Sequence, residues 1–305
     1  MGFTLVESMW FADFEDDDAE KYAAESLAAK VGELRGVLPV PTVAAKLVSM
    51  VNDPDYKSSD VADLISTDAG LSSRILRVIN SSSYSLRSEC TSIAHAVVLL
   101  GPKTVRDTAL ALSLLGIFDD RDGHAESILT HSAQVAELAC LLGQHCEKLA
   151  GVDLYACALL HDIGKLLLLQ AEPDYAEVYQ SSSEQDQDHL KEREAFGYDH
   201  AVLAGHVLSS WNIPEPIPTS IAWHHKPKRA FEAANETTAV VAAVRLADRL
   251  CYELANASCE QGAVLDALVQ DEAAQYLDMR RSDFDAMWPE LVAVFADEIE
   301  EDEAA

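Results

Sequence analysis

From Ala23 onward, apolar residues recur at three- and four-residue spacings rather than in alternation. Ala23, Leu27, Val31 and Leu34 share one face, and Gly36 followed by LPVP closes it. This pattern predicts a helix starting near Ala19. Short capped helices follow up to about Phe118. Ser59 or Asp60 offers an N-cap for VADLIS, and Thr67 or Asp68 one for AGLSSRILRVIN, whose apolar stripe is Leu71, Ile75, Val78 and Ile79. NSSSYS (Asn80 to Ser85) is a polar break. SIAHAVVLLG is a further helix ending at Gly101, and Pro102 opens the next.

DDRDGH (Asp119 to His124) is the natural boundary between two lobes. Longer helices are predicted at 126–149, 153–170, 199–211, 217–225 and 237–257. The segment 181–195 reads as polar, and its first half, SSSEQDQD, as a loop or helix start. DFDAMWPELVAVFADEIEEDEAA closes the chain as an amphipathic helix with an acidic end. Runs of alternating apolar and polar residues are rare, so the expected fold class is all-α. Four segments follow: a loose acidic and aromatic leader at 1–18, an N-terminal helical lobe at 19–118, a second helical lobe at 119–297 and an acidic tail at 298–305.

Composition narrows the function. The 305 residues are 49% apolar and carry a formal charge of −30, which disfavours a broad nucleic-acid surface or an anionic membrane surface. It leaves open a small phosphate held in a pocket. No apolar run is long enough to span a bilayer, and the first residues do not form a signal peptide. The six cysteines form no CxxC pair, and most sit in apolar helical contexts. A reducing cytoplasm is the expected location.

One stretch stands apart. ALLHDIGKLLLL (Ala158 to Leu169) places His161, Asp162 and Lys165 in an almost wholly apolar run, where each is costly unless satisfied. His131, His200 and Asp248 also lie on helix faces with apolar neighbours at helical spacing. His224 and His225 form a tandem whose members point about a hundred degrees apart. Imidazole and carboxylate ligands suit Fe, Mn, Ni, Zn and similar divalent ions, and a helical bundle can bring them to one point. The metal-ligand candidates are therefore His131, His161, Asp162, His200, His224, His225 and Asp248. Each is weak alone. Their order over about 120 residues is far more specific. His95, His124, His145, His189 and His206 are background on this reading. The bland alternative is a hydrogen-bonded structural network without a ligand.

The order His131, His161-Asp162, His200, His224, Asp248 resembles the HD superfamily of metal-dependent phosphohydrolases, and HDIGK its HD-GYP branch. LPVPTVAAKLVSMVNDPDYKSSDVADLISTDAGLSSRILRVINSSSYS, TSIAHAVVLLGPKTVRDTALAL and DHAVLAGHVLSSWNIPEPIPTSIAWHH are similar to the HDOD domain, together covering roughly residues 34 to 255. Asn80-Ser81 and Arg106 match recurring HDOD positions, and physically read as a capping turn and a helix-surface or inter-lobe contact. The resemblance implies an HD-like helical bundle with an N-terminal helical lobe, acting in bacterial signal transduction through a protein partner. Many HDOD members lack the catalytic residues, whereas this chain keeps the whole H–HD–H–HH–D series. After His224-His225 comes KPKRAFEAAN, with neither the Glu nor the DGxGYP loop of HD-GYP proteins.

Two uses of the site follow. In a regulatory module the pocket holds a metal or small ligand without catalysis. In a phosphohydrolase acting on a nucleotide or cyclic dinucleotide, Asp162 and Lys165 would be catalytic, with Lys165 stabilising developing charge. Lys226, Lys228 and Arg229 form the one local basic cluster and could draw phosphate to the pocket mouth, though a solvated loop is the plainer reading. Trp211 and Trp223 read as packing residues.

Overall fold

Every regular element among the described residues is helical. The computed structural model describes residues 17–51, 56–84, 86, 88–118, 123–180, 188–226, 230–231, 237–255 and 261–302, with the side chains of 17–24, 51, 82 and 296–302 left aside. The leader up to residue 16, Cys259, Lys228, Arg229 and the end of the acidic tail lie outside this set.

The helices are α1 (Asp17–Val37), α2 (Thr42–Val51), α3 (Ser58–Ser66), α4 (Ala69–Ile79), α5 (Ile93–Leu115), α6 (His124–His145), α7 (Tyr155–Leu159) and α8 (Ile163–Ala171). They continue with α9 (Tyr175–Gln180), α10 (Asp188–Phe196), α11 (His200–Ser210), α12 (Ile217–Trp223), α13 (Thr238–Ala255), α14 (Gln261–Gln270), α15 (Glu272–Tyr276) and α16 (Arg281–Asp302). Short 3-10 turns occur at Ser82–Tyr84 and Glu147–Leu149.

In the first part, α2, α3 and α4 pack on the long α5. In the second, α6 and α13 pack along each other, α7 and α16 lean on α6, and α11 sits between α8 and α12. α1 crosses back to touch α8 and α11. Lys30 ties that crossing down by donating to the Ala171 carbonyl at 3.2 Å and pairing with Glu172 at 3.1 Å. One apolar cluster runs through all of it, from Leu27 on α1 to Leu291 on α16.

The caps show how local chemistry sets the boundaries. Asp68 caps α4 by accepting from Leu71 N at 2.9 Å. For α3 the expected cap is displaced: Lys57 holds the N-cap position, and Asp60 at N3 accepts from its backbone N at 2.8 Å. Gly101, at φ 85°, kinks α5, so the expected break survives as a bend inside one continuous helix with Pro102 just beyond it. Asn80 closes the next turn on both sides, giving its amide to Cys90 O and accepting from Cys90 N.

Three expectations need correction. The helix expected at 153–170 is two, α7 and α8, broken at Leu160–Asp162. There the His161 ring takes the Ala158 carbonyl through Nδ1 at 2.7 Å, and tight turns replace the helical ladder. An unbroken apolar pattern carries no trace of this. The polar segment 181–195 contains α10, whose Asp188 and Glu192, one turn apart, are buried. Arg106 is a buried partner of Asp107 at 2.7 Å on its own helix, not a surface group. In addition, α14 and α15 occupy a stretch for which the sequence pattern had predicted no element.

Candidate metal centre

The break between α7 and α8 puts His161 and Asp162 at the centre of the second group of helices. α6 delivers His131, the start of α11 His200, the end of α12 His224 and His225, and α13 Asp248. All seven sequence-selected residues meet here. Their ligand atoms fall into three overlapping sets, each with mutual distances within 4.8 Å: Asp162, His200, His224 and His225; His131, His161 and Asp162; His161, His224 and Asp248.

Asp162 joins the sets. Its Oδ1 faces His200 Nε2 at 3.1 Å and His224 Nε2 at 4.0 Å. Its Oδ2 faces Lys165 Nζ at 2.8 Å, His161 Nε2 at 3.4 Å and His131 Nε2 at 3.8 Å. Asp248 Oδ1 accepts from His131 Nε2 at 3.1 Å and lies 3.7 Å from His161 Nε2.

Glycines allow the close approach. A Cβ on Gly164 would fall 1.9 Å from the His200 carbonyl oxygen, so only glycine lets α8 press against the start of α11. At Gly205 a Cβ would meet Ala222 Cβ at 2.7 Å, which fixes α11 against α12.

The histidines are oriented for ligation. His161 and His224 each donate Nδ1–H to a backbone carbonyl, Ala158 O and Ile221 O, at 2.7 Å. The proton is thereby fixed on Nδ1, and the Nε2 lone pair faces the cluster. Both Nε2 atoms are buried and have no hydrogen-bond partner among the described residues. His200 donates Nδ1–H to Glu192 Oε2 at 2.7 Å, and its backbone N donates to the same oxygen at 2.8 Å. That is the carboxylate–histidine arrangement that steadies metal ligands.

Electrostatics agree with a cation site. Burial works against charge on Asp162, yet His161, Lys165 and His200 hold its carboxyl well below the usual range. Asp248 is likewise low: burial is outweighed by the His131 hydrogen bond and by His161. Glu192 is low because His200 outweighs burial. Burial disfavours the His200 cation, but Glu192 and Asp162 push it up to about 10. Burial would lower Lys165, and Asp162 raises it well above its ordinary value. Burial pulls His161, His224 and His225 down toward the neutral, ligand-competent form. The Asp162, Asp248 and Glu192 carboxylates thus face the Lys165 ammonium and a His200 proton that a divalent ion would displace, in an almost dry setting whose excess negative charge such an ion would balance. The orphaned Nε2 atoms and this charge set fit such an ion.

A cleft of about 660 Å³ opens onto the cluster, walled by His131, Gln134, Asp162, Lys165, Asp188 and Tyr252 among others. Lys165 reaches Asp188 Oδ2 at 3.4 Å as well as Asp162.

Sequence reasoning missed Glu192, Asp188, Cys251, Tyr252 and His189. Cys251 Sγ lies 3.3 Å from His131 Nδ1, and His189 stacks on His225 with centroids 4.3 Å apart. The i, i+4 spacing of Asp188 and Glu192 was the available signal for the first two. His206 is buried but belongs to none of the three sets, as expected of background. Trp211 and Trp223 are buried packing residues.

A helical bundle that gathers histidines and an aspartate from four helices around an HD pair defines an HD-type helical protein. The pattern of the HDOD domain matches residues 37–227. The chain belongs to the HDOD family. It is similar to an uncharacterised protein of Treponema pallidum, 23% identical over 220 residues, and spans 43% of that protein's length and 71% of its own. Among solved structures it resembles a Shewanella amazonensis protein named as a candidate phosphohydrolase, at 22% identity and TM-score 0.67, covering 88% of this chain and 96% of that one. It also resembles a Marinobacter aquaeolei protein named as a candidate signal transduction protein, at 19% identity and TM-score 0.64, covering 94% and 67%. Both likenesses concern the fold. No described helix is long and apolar enough to cross a membrane.

Proposed function

We propose that this chain is a bacterial, cytoplasmic signalling module that holds a divalent metal, Fe, Mn, Ni or Zn, in its His/Asp cluster and passes its state to a protein partner. The observation that carries the metal is the pair of buried Nε2 atoms on His161 and His224, each fixed in the ligand tautomer and left without a hydrogen-bond partner among the described residues. His131, His161, Asp162 and Asp248 would be the core ligands, with His200, His224 and His225 extending the site. The lobe boundary near 119 belongs to the same reading: α2 to α5 would present the partner surface, while the second group of helices carries the metal. Likeness of fold to a candidate signal transduction protein supports the signalling role. A small phosphate-bearing ligand is the expected guest of the cleft.

A second reading, metal-dependent phosphohydrolysis, is favoured by one observation: the cleft reaches His131, Asp162 and Lys165 directly. A metal bound there would polarise a phosphoryl oxygen and lower the pKa of a bound water. Lys165, buried beside Asp162, would stabilise charge developing on the phosphate. The missing DGxGYP loop argues against cyclic-dinucleotide hydrolysis of the HD-GYP kind.

Hydrolysis by the metal-loaded full chain of a panel of nucleotides and cyclic dinucleotides, followed as free phosphate and as ring-opened product by chromatography, separates the two. The signalling reading expects no product above that of His161→Ala. Turnover that His161→Ala abolishes would replace it with the second reading.

A further inference from the structure

A second cavity, of about 440 Å³, lies where the Ser82–Tyr84 turn, α5, α6 and the segment before α7 meet. Among the described residues it shares no lining residue with the metal cleft. Two polar atoms on its wall are buried and without a hydrogen-bond partner among the described residues, Ser83 Oγ and Asp153 Oδ2. Ser83 is 5% exposed. The other Asp153 oxygen accepts a long bond from Tyr155 N at 3.4 Å. Nearby Lys103 pairs with Asp107 at 3.1 Å, and its charge partly offsets the effect of burial on Asp153. Asp107 and Glu137 add negative potential around the cavity.

The Thr104 hydroxyl also hydrogen-bonds the Asp153 carboxyl, yet burial raises its pKa, and a charged donor relieves a buried carboxyl group best. The remaining wall supplies the complement. Leu100, Leu149, Val152 and Leu154 are apolar, and Tyr84 presents a ring held in place by its hydroxyl contact with Thr108 Oγ1 at 3.0 Å. A carboxylate beside an aromatic ring and an apolar wall is the combination that recognises organic cations.

We propose that this cavity is a second ligand site, for a small organic cation: its ammonium or amidinium head meets Asp153 and Ser83, and its flat apolar body lies against Tyr84 and Leu154. The cavity spans the seam between α4–α5 and α6–α7, so its occupant would bridge the two groups of helices. α7 itself runs from Tyr155 straight to the turn holding His161.

The test uses three probes of similar shape on the full chain, followed by ligand-observed NMR: 2-phenylethylamine, 2-phenylethanol and phenylacetate. The amine is expected to bind at least roughly tenfold more tightly than the alcohol, with the anion weakest. Asp153→Asn should bring amine and alcohol within about twofold. Gln144→Trp, at an exposed position on the cavity mouth, should abolish amine binding while sparing the fold. This variant also separates pocket binding from general attraction of amines to an acidic protein. Should Asp153→Asn fail to fold by circular dichroism, the probe contrast and Gln144→Trp decide. Equal binding of amine and alcohol, or amine binding unchanged by Gln144→Trp, overturns the proposal.

Discussion

Gly164→Ala is the substitution on which helix propensity and packing disagree in sign. Gly164 lies inside α8, where alanine is intrinsically better by about 1 kcal/mol. In the folded chain its Cβ would stand 1.9 Å from His200 O, 2.6 Å from His200 C and 3.0 Å from His200 Cα. A carbon–oxygen contact needs about 3.3 Å, so α8 and α11 must separate by about 1.4 Å. The obstacle is backbone and cannot rotate away. Overpacking of this kind costs about 3 kcal/mol, which reverses the propensity gain. A separation of that size also pulls His200 Nε2 off Asp162 Oδ1, now at 3.1 Å. Urea unfolding should therefore show Gly164→Ala about 2 kcal/mol less stable than the native chain, after the propensity gain is credited. Its metal affinity should fall in parallel. A variant as stable as the native chain or more so, with metal affinity intact, would refute the close contact between α8 and α11 as the reason for glycine.

Glu192→Gln keeps the shape but weakens the clamp on His200, so metal affinity should fall roughly 10- to 100-fold in competition titrations while the helical circular dichroism spectrum stays unchanged. His206 is a test of acid sensitivity. Burial brings its pKa down to about 4, below an unfolded value near 6.5, so the unfolded chain takes the proton first. Its contribution is complete above pH 6.5 and disappears as the pH falls from 6.5 to 4, about 3 kcal/mol in all. His206→Gln should flatten stability against pH in that window when followed by chemical denaturation; an unchanged slope would contradict it. Asp68→Ala removes the α4 cap and should cost about 1 kcal/mol by the same denaturation measurement.

The fold class and the site were legible to different depths. Helical spacing placed α4, α11 and α13 within a residue or two, because amphipathic faces and caps are written locally. The seven candidate residues were legible as a set because each is a polar residue in an apolar, helix-spaced run. What stayed hidden depended on tertiary contact. The α7–α8 break comes from the His161 ring competing for a carbonyl inside a run of leucines, where apolar pattern cannot register it. Glu192 and Asp188 looked like part of a solvated polar segment, and only their approach to His200 and Lys165 gives them a role. Gly164 reads as an ordinary small residue in HDIGK until the His200 carbonyl is found against it.

The most direct measurement is the metal content of the purified full chain, by elemental analysis, before and after incubation with Mn, Fe, Ni or Zn and dialysis. Native protein should retain at least one equivalent of a divalent metal, His161→Ala and His224→Ala should lose it, and His206→Gln should keep it. A native chain that neither carries nor takes up any of these metals, with His161 and His224 in place, would contradict the metal centre.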